Sequence, residues 1–201
     1  MCIRDRVEEI RALSDVAHSM GMHVYLDGAR IANATAALGG TREALRSFTR
    51  DAGVDAMTFG CTKAGGIFGE AVVFFNPIFT ARSIYVRKQV TQLHSKMRFI
   101  AAQYEAMLQD DLFITLGGQA NKAARMLFDK TYDIASLQLG SAPSANSMFP
   151  IIAEGPRRQL QEWAHFYDWD IAKDQVRWMT AWDVTEPEID AFVAGVRTLL
   201  A

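Results

Sequence analysis

The chain has 201 residues, half of them hydrophobic, a tenth aromatic and 22% charged, a globular balance that excludes a disordered or collagen-like protein. Its 21 Lys and Arg against 23 Asp and Glu leave a formal charge of -2, so no basic excess points to nucleic acid or an anionic membrane. The two cysteines, Cys2 and Cys61, make neither a disulfide framework nor a zinc pattern. The longest apolar runs, such as AVVFF at 71–75, are far too short for a bilayer, and a cytoplasmic protein is the expectation.

Apolar residues at Val7, Ile10, Leu13, Ala17 and Met20 follow helical spacing, and Gly21 is placed to stop that helix. HVYL at 23–26 reads as a strand ended by Asp27-Gly28. Helix, glycine, strand and then a polar residue is the order of a parallel α/β sheet, whose ligands sit at the carboxyl ends of strands. Short helices are predicted at 30–38 and 42–51, strands at 55–60 and 70–75, and a glycine-containing loop, CTKAGGIFG, at 61–69.

A long helix is predicted after Pro77. Its stripe of Val86, Val90, Leu93, Met97, Ile100, Tyr104 and Met107 alternates steps of four and three, as a coiled-coil-like seam does. That stripe suits a helix buried against a neighbouring domain or subunit. Another helix spans about 118–135. SMFPII at 147–152, HFYDW at 165–169 and VRWMTAW at 176–182 read as short strands, with a helix over 156–164. Thr185 and Glu188 form a capping box for a last helix whose face is Ile189, Phe192, Val193, Val196 and Leu200. This C-terminal part reads as an antiparallel α+β layer. The expected domains are 1–112 and 113–201.

Two residues stand out chemically. Lys63 follows a predicted strand and precedes two glycines in TFGCTKAGG; glycines admit close backbone approach. A partly desolvated lysine can act as a nucleophile, although the residue by itself also reads as an exposed loop lysine. Asp27 by itself reads as the N-cap of a helix starting near Ala29. A buried carboxylate at one strand end, followed by a lysine on a later strand-end loop, suits pyridoxal phosphate (PLP). The lysine holds the aldehyde and the carboxylate pairs with the ring nitrogen.

VYLDGARIANA at 24–34, DAMTFGCTKAGG at 55–66 and GEAVVFF at 69–75 together resemble the low-specificity threonine aldolases, of the aromatic amino acid β-eliminating lyase/threonine aldolase family. SKMRFIAAQ at 95–103, PSANSMFP at 143–150 and VRWMTAWDVTEPEID at 176–190 look like later blocks of the same family. The resemblance implies an α/β chain forming the C-terminal part of a fold-type I PLP-dependent transferase fold. Such a chain has a partial, parallel-rich sheet with helices, followed by a small α+β domain. Lys63 would be the PLP-bound lysine and Asp27 the partner of the pyridine nitrogen. Arg30 would bind cofactor or substrate, and Arg177 the substrate carboxylate. Arg30 also reads as a helix-surface residue, and Arg177 as a solvated residue of an alternating strand. Arg98 lies in a family block without an assigned role.

The implied reaction is cleavage of the Cα–Cβ bond of a β-hydroxy amino acid, threonine giving glycine and acetaldehyde, in a cytoplasmic homo-oligomer. The alternatives are a PLP-dependent β-eliminating lyase, a noncatalytic helical interaction module resting on the 86–107 stripe, and an inactive gene fragment. MCIRDR reads poorly as the start of a domain, so the natural protein is expected to continue upstream of residue 7. The family's phosphate-binding segment and ring-stacking histidine precede DGAR. His18, His23, His94 and His165 do not fill that position. The long interval from Asp27 to Lys63 and a glycine-poor SKMRFIAAQ point to a divergent branch.

Overall fold

The computed structural model describes residues 6–200; Cys2 and most of the MCIRDR segment lie outside the described residues. The chain divides into two compact units, parted between Gly117 and Gly118.

The first unit opens with helix α1, Val7–Ser19. The Glu9 carboxylate accepts the Arg6 N–H at 2.7 Å, covering a donor that the first turn leaves unpaired. At the other end Gly21 adopts φ +70°, and the Met22 N–H returns to the Ala17 carbonyl at 2.9 Å. The predicted glycine stop is therefore a left-handed cap. The buried edge of α1 differs from the predicted stripe. Ser14 is buried while Leu13 and Met20 are 65% and 67% exposed. Ser14 lies where Gly53 leaves room for it: a Cβ on Gly53 would come within 2.8 Å of its Cβ.

Three strands form the first sheet, in the order β1 (Tyr25–Leu26), β2 (Ala56–Gly60), β3 (Glu70–Phe74). β1 and β2 are parallel and joined through helices α2 (Ile31–Ala37) and α3 (Arg42–Ser47). β2 and β3 are antiparallel. The link between them holds only a 3-10 turn, Thr62–Ala64, too short for the helical crossover that a parallel pair needs. At the ends of β1 and β2 the two backbones touch. A Cβ on Gly28 would sit 1.9 Å from the Thr58 carbonyl oxygen, and one on Gly60 would sit 2.8 Å from the Ala29 Cα. The Gly60 N–H donates to the Gly28 carbonyl at 3.1 Å. Ile31, Phe48, Met57, Phe59, Cys61 and Phe113 are among the residues buried in this unit.

The predicted long helix after Pro77 is broken. A 3-10 turn at Pro77–Phe79 leads into α4, Thr80–Gln89, and α5 starts only at Arg98 and runs to Leu108. Thr91 and Lys96 take φ +60° and +62° between them. The Gln92 N–H donates to the Arg87 carbonyl at 2.9 Å and the Thr91 N–H to Lys88 at 3.2 Å. These two bonds form a Schellman stop, with threonine where glycine is usual. Val86, Val90 and Leu93 are about half exposed, and the continuous seam over 86–107 is not formed. The next helix, α6, begins at Leu112, earlier than the predicted 118, and ends at Thr131.

The second unit packs its helices on one face of an antiparallel sheet of order β4-β6-β5. These strands are β4 (Ser147–Met148), β5 (Tyr167–Asp170) and β6 (Gln175–Met179). Helices α7 (Glu154–Trp163) and α8 (Glu186–Leu199) complete it. Val176 and Trp178 alternate into a core with Leu127, Leu160, Ile189 and Val196. The predicted capping box is present: the Thr185 N–H and hydroxyl reach Glu188 Oε2 at 2.8 and 2.7 Å. Arg157 of α7 is buried and donates to Asp174 at 2.8 Å, with Asp168 at 3.3 Å, tying the β5–β6 hairpin to the helix.

Candidate functional site

β1 ends at Leu26, β2 ends at Gly60, and β3 begins with Glu70 directly across from Gly60. One end of the first sheet therefore gathers Asp27, the turn that carries Lys63, and Glu70. Lys63 is exposed at the centre of its 3-10 turn. Asp27 is exposed as well, which corrects the expectation of a buried carboxylate. Asp27 Oδ1 accepts the Ala29 N–H at 3.0 Å, a local turn in which the carboxylate covers the backbone. It does not cap α2; Arg30 occupies that N-cap position and is half-buried.

Glu70 is the ionisable member of this group that the sequence reading missed. Desolvation pushes its carboxyl up and the Asp27 charge adds to that, while Lys63 and a hydrogen bond from Thr62 pull the other way; the net shift is upward. Behind it, burial pushes up the Cys61 thiol, with a contribution from Glu70. Tyr104 donates its hydroxyl to the Phe59 carbonyl at 3.0 Å. Burial, with the Cys61 and Glu70 charges, pushes its phenol up to about 12.

The loop after Lys63 is fastened by a second residue that sequence reasoning missed. Gln103 of α5 accepts the N–H groups of Ile67 and Phe68 at 2.7 and 3.3 Å, and donates to the Phe68 carbonyl at 3.2 Å. It lies in the block SKMRFIAAQ. A glutamine on a helix carries no sequence signal for such a contact, because its partners are backbone groups far along the chain. Arg98, in the same block, is the exposed first residue of α5.

Arg177 lies in the middle of β6, on the face opposite the core, across from Tyr167. It belongs to the second unit, whereas Lys63, Asp27 and Arg30 belong to the first. Among the described residues no group of three or more His, Cys, Asp or Glu side chains could hold a metal ion. None of the described helices is long and apolar enough to cross a membrane.

The donor set at the sheet end suits an aldehyde cofactor with a basic ring nitrogen. An exposed primary amine can bond the aldehyde carbon, and a carboxylate can accept from a protonated ring nitrogen. Tight glycine contacts at Gly28 and Gly60 fix the two strand ends that carry them.

The chain is 35% identical over 204 residues to the low specificity L-threonine aldolase of Pseudomonas aeruginosa, covering 97% of this chain and 56% of that protein. It is 34% identical over 198 residues to the protein of the same name from another Pseudomonas strain, covering 98% and 56%. The structure of a threonine aldolase from Leishmania major superposes with a TM-score of 0.84 at 29% identity, covering 97% of this chain and 57% of that one. The chain thus spans little more than half the length of the curated relatives it matches. The sequence model of the beta-eliminating lyases matches residues 6–155, a stretch that holds DGAR, Lys63 and the Gln103-fastened loop. The chain belongs to the beta-eliminating lyase family.

Proposed function

We propose that the chain carries the lysine-bearing part of a PLP-dependent aldehyde-lyase site acting on β-hydroxy amino acids, with threonine yielding glycine and acetaldehyde. The observation that carries this reading is the meeting of Asp27 and the Lys63 turn at one sheet end. The names of the relatives, threonine aldolases, support the substrate class. The reading includes a cytoplasmic homo-oligomer with an amino acid as its small-molecule partner.

When bound, PLP supplies an electron sink for the bond broken at the substrate's Cα. Lys63 Nζ is the amine that bonds the cofactor aldehyde, a role that needs its neutral form. The Asp27 carboxylate holds a proton at the ring nitrogen and so deepens the sink. Arg30, half-buried beside Asp27 in sequence, is assigned to the cofactor or the substrate. Arg177 binds the substrate carboxylate. Anchoring that group decides which bond at Cα is aligned for cleavage. A PLP-dependent β-eliminating lyase is the second reading, favoured by the family match; it uses the same Lys63 and Asp27 with a different substrate pose.

Reduction with borohydride in the presence of PLP, followed by peptide mass mapping, tests the assignment. The pyridoxyl group is expected on Lys63, and Lys63→Arg is expected to abolish it, since guanidinium stays protonated. Label on another lysine overturns the assignment. Product analysis with threonine, looking for glycine and acetaldehyde, then separates the aldolase from the β-eliminating lyase.

A further inference from the structure

The outer face of the second unit's sheet holds an arrangement around Arg177 that an ordinary surface arginine does not need. Its guanidinium carbon lies 5.2 Å from the centre of the Trp169 ring and 5.9 Å from that of Phe149. The two rings are 5.1 Å apart and tilted at 58°. Trp169 sits where the β5–β6 register shifts, between Asp168 and Asp170. A bulge of this kind re-aims a side chain and recurs beside binding sites. One Arg177 amino group donates to the Ser147 hydroxyl at 3.3 Å. Its Nε is buried and has no hydrogen-bond partner among the described residues, and no carboxylate among them pairs with it.

The choice of partners matters. A neighbouring carboxylate is one way to hold a cation against a protein face. That carboxylate would fill the planar fork with which guanidinium grips other carboxylates. Aromatic faces attract the cation without occupying its N–H donors. A buried donor without an acceptor is costly to leave so, and a carboxylate gripped by the outer N–H groups offsets part of that cost through its charge.

We propose that Trp169 and Phe149 are positioning residues: they clamp the Arg177 guanidinium by cation–π contact so that its N–H donors receive a carboxylate. The inference rests on the carboxylate-binding role given to Arg177 under the proposed function, and adds the device that holds it ready.

The test is solution NMR of the full chain, following the Arg177 Nε–H signal, which is assigned by its loss in Arg177→Lys. Two nearby rings are expected to displace this signal from the other arginines. Acetate, used as the carboxylate probe, is expected to move it on titration. Trp169→Leu keeps an apolar side chain without a π face, and Trp169→Phe restores a face. Trp169→Leu is expected to return the signal toward the others and to weaken acetate binding roughly twofold to thirtyfold; Trp169→Phe is expected to recover most of both. Equal acetate affinity in wild type and Trp169→Leu overturns the clamp while leaving the role of Arg177 intact. Equal weakening by the Leu and Phe variants reduces Trp169 to packing and also overturns it. An Arg177 signal that acetate does not move in the wild type overturns the underlying reading together with the clamp.

Discussion

The Asp55 carboxylate, which is buried, accepts hydrogen bonds from three separate segments of the first unit. His18 Nε2 at the end of α1, the Val24 N–H ahead of β1, and Asn76 Nδ2 after β3 all lie at 2.8 Å. Burial alone would raise this carboxyl, but the bonds from Asn76, Val24 and His18, with the charge of His18, outweigh it and hold it well below the usual range. A depressed carboxyl adds stability that is complete above the ordinary aspartate value, about 3.9, and is lost as pH falls through the folded value. Asp55→Ala is expected to cost about 1–3 kcal/mol in urea unfolding at neutral pH, the cost of buried donors left unpaired. Asp55→Asn is expected to flatten the loss of stability below pH ~4; an unchanged acid limb removes Asp55 from it. At the sheet's other end, Asp27→Asn is expected to keep PLP labelling of Lys63 while losing most turnover, since an amide does not hold the ring-nitrogen proton. Wild-type turnover in that variant would leave Asp27 only its turn-forming bond to Ala29. Asp27 and Arg30 stand out in the sequence because DGAR displays them together, and Lys63 because TFGCTKAGG sets it just before two glycines. Glu70 and Gln103 do not, because only the β2–β3 pairing and the packing of α5 bring them to the lysine turn.

At the scale of elements, strands were read well where alternation or a glycine marked them: 55–60 became Ala56–Gly60 and 70–75 became Glu70–Phe74. The helix after Pro77 misled because its apolar spacing continues through 90–97, a stretch with no glycine or proline to announce a break. The chain stops α4 with Thr91 in the left-handed region instead, a conformation that costs an L-residue with a side chain ~1–2 kcal/mol. Glycine avoids that cost but has more freedom to lose, about 0.5–1 kcal/mol. Thr91→Gly is therefore expected to raise stability by about 0.5–1 kcal/mol in urea unfolding. A destabilised variant would mean that the threonine side chain has a role of its own in the turn.

At the scale of the whole molecule, the alternation of β6 and the capping box of α8 made the antiparallel second unit readable. The antiparallel entry of β3 was implicit in the shortness of the loop at 61–69, which leaves no room for the crossover that a parallel pair needs. Much large apolar surface is exposed: Leu13 and Val16 on α1 and Met20 just after it, Ile84 and Tyr85 on α4, and Ile67 at 89% exposure on the lysine loop. Surface of this kind favours association. Residues 1–201 are expected to sediment as oligomers rather than as a 22.4 kDa monomer, and a monodisperse monomer at micromolar concentration would refute this.

The two connections that meet at the lysine turn differ in kind. β2 and β3 pair across a short local link, whereas β1 is joined to β2 through the longer segment that holds α2 and α3. Closing a longer loop costs more chain entropy before any contact rewards it, and local pairings form faster. In refolding, the amine is therefore expected to be fixed on its hairpin before the Asp27 strand docks beside it. Pulsed hydrogen exchange is expected to show the β2–β3 amides protected ahead of the Gly60 N–H bond to Gly28. Simultaneous protection would mean that the crossover and the hairpin condense in a single step. In the expected order, the crossover sets the pace at which the Lys63 turn, already on a finished hairpin, gains Asp27 as a neighbour at the sheet end.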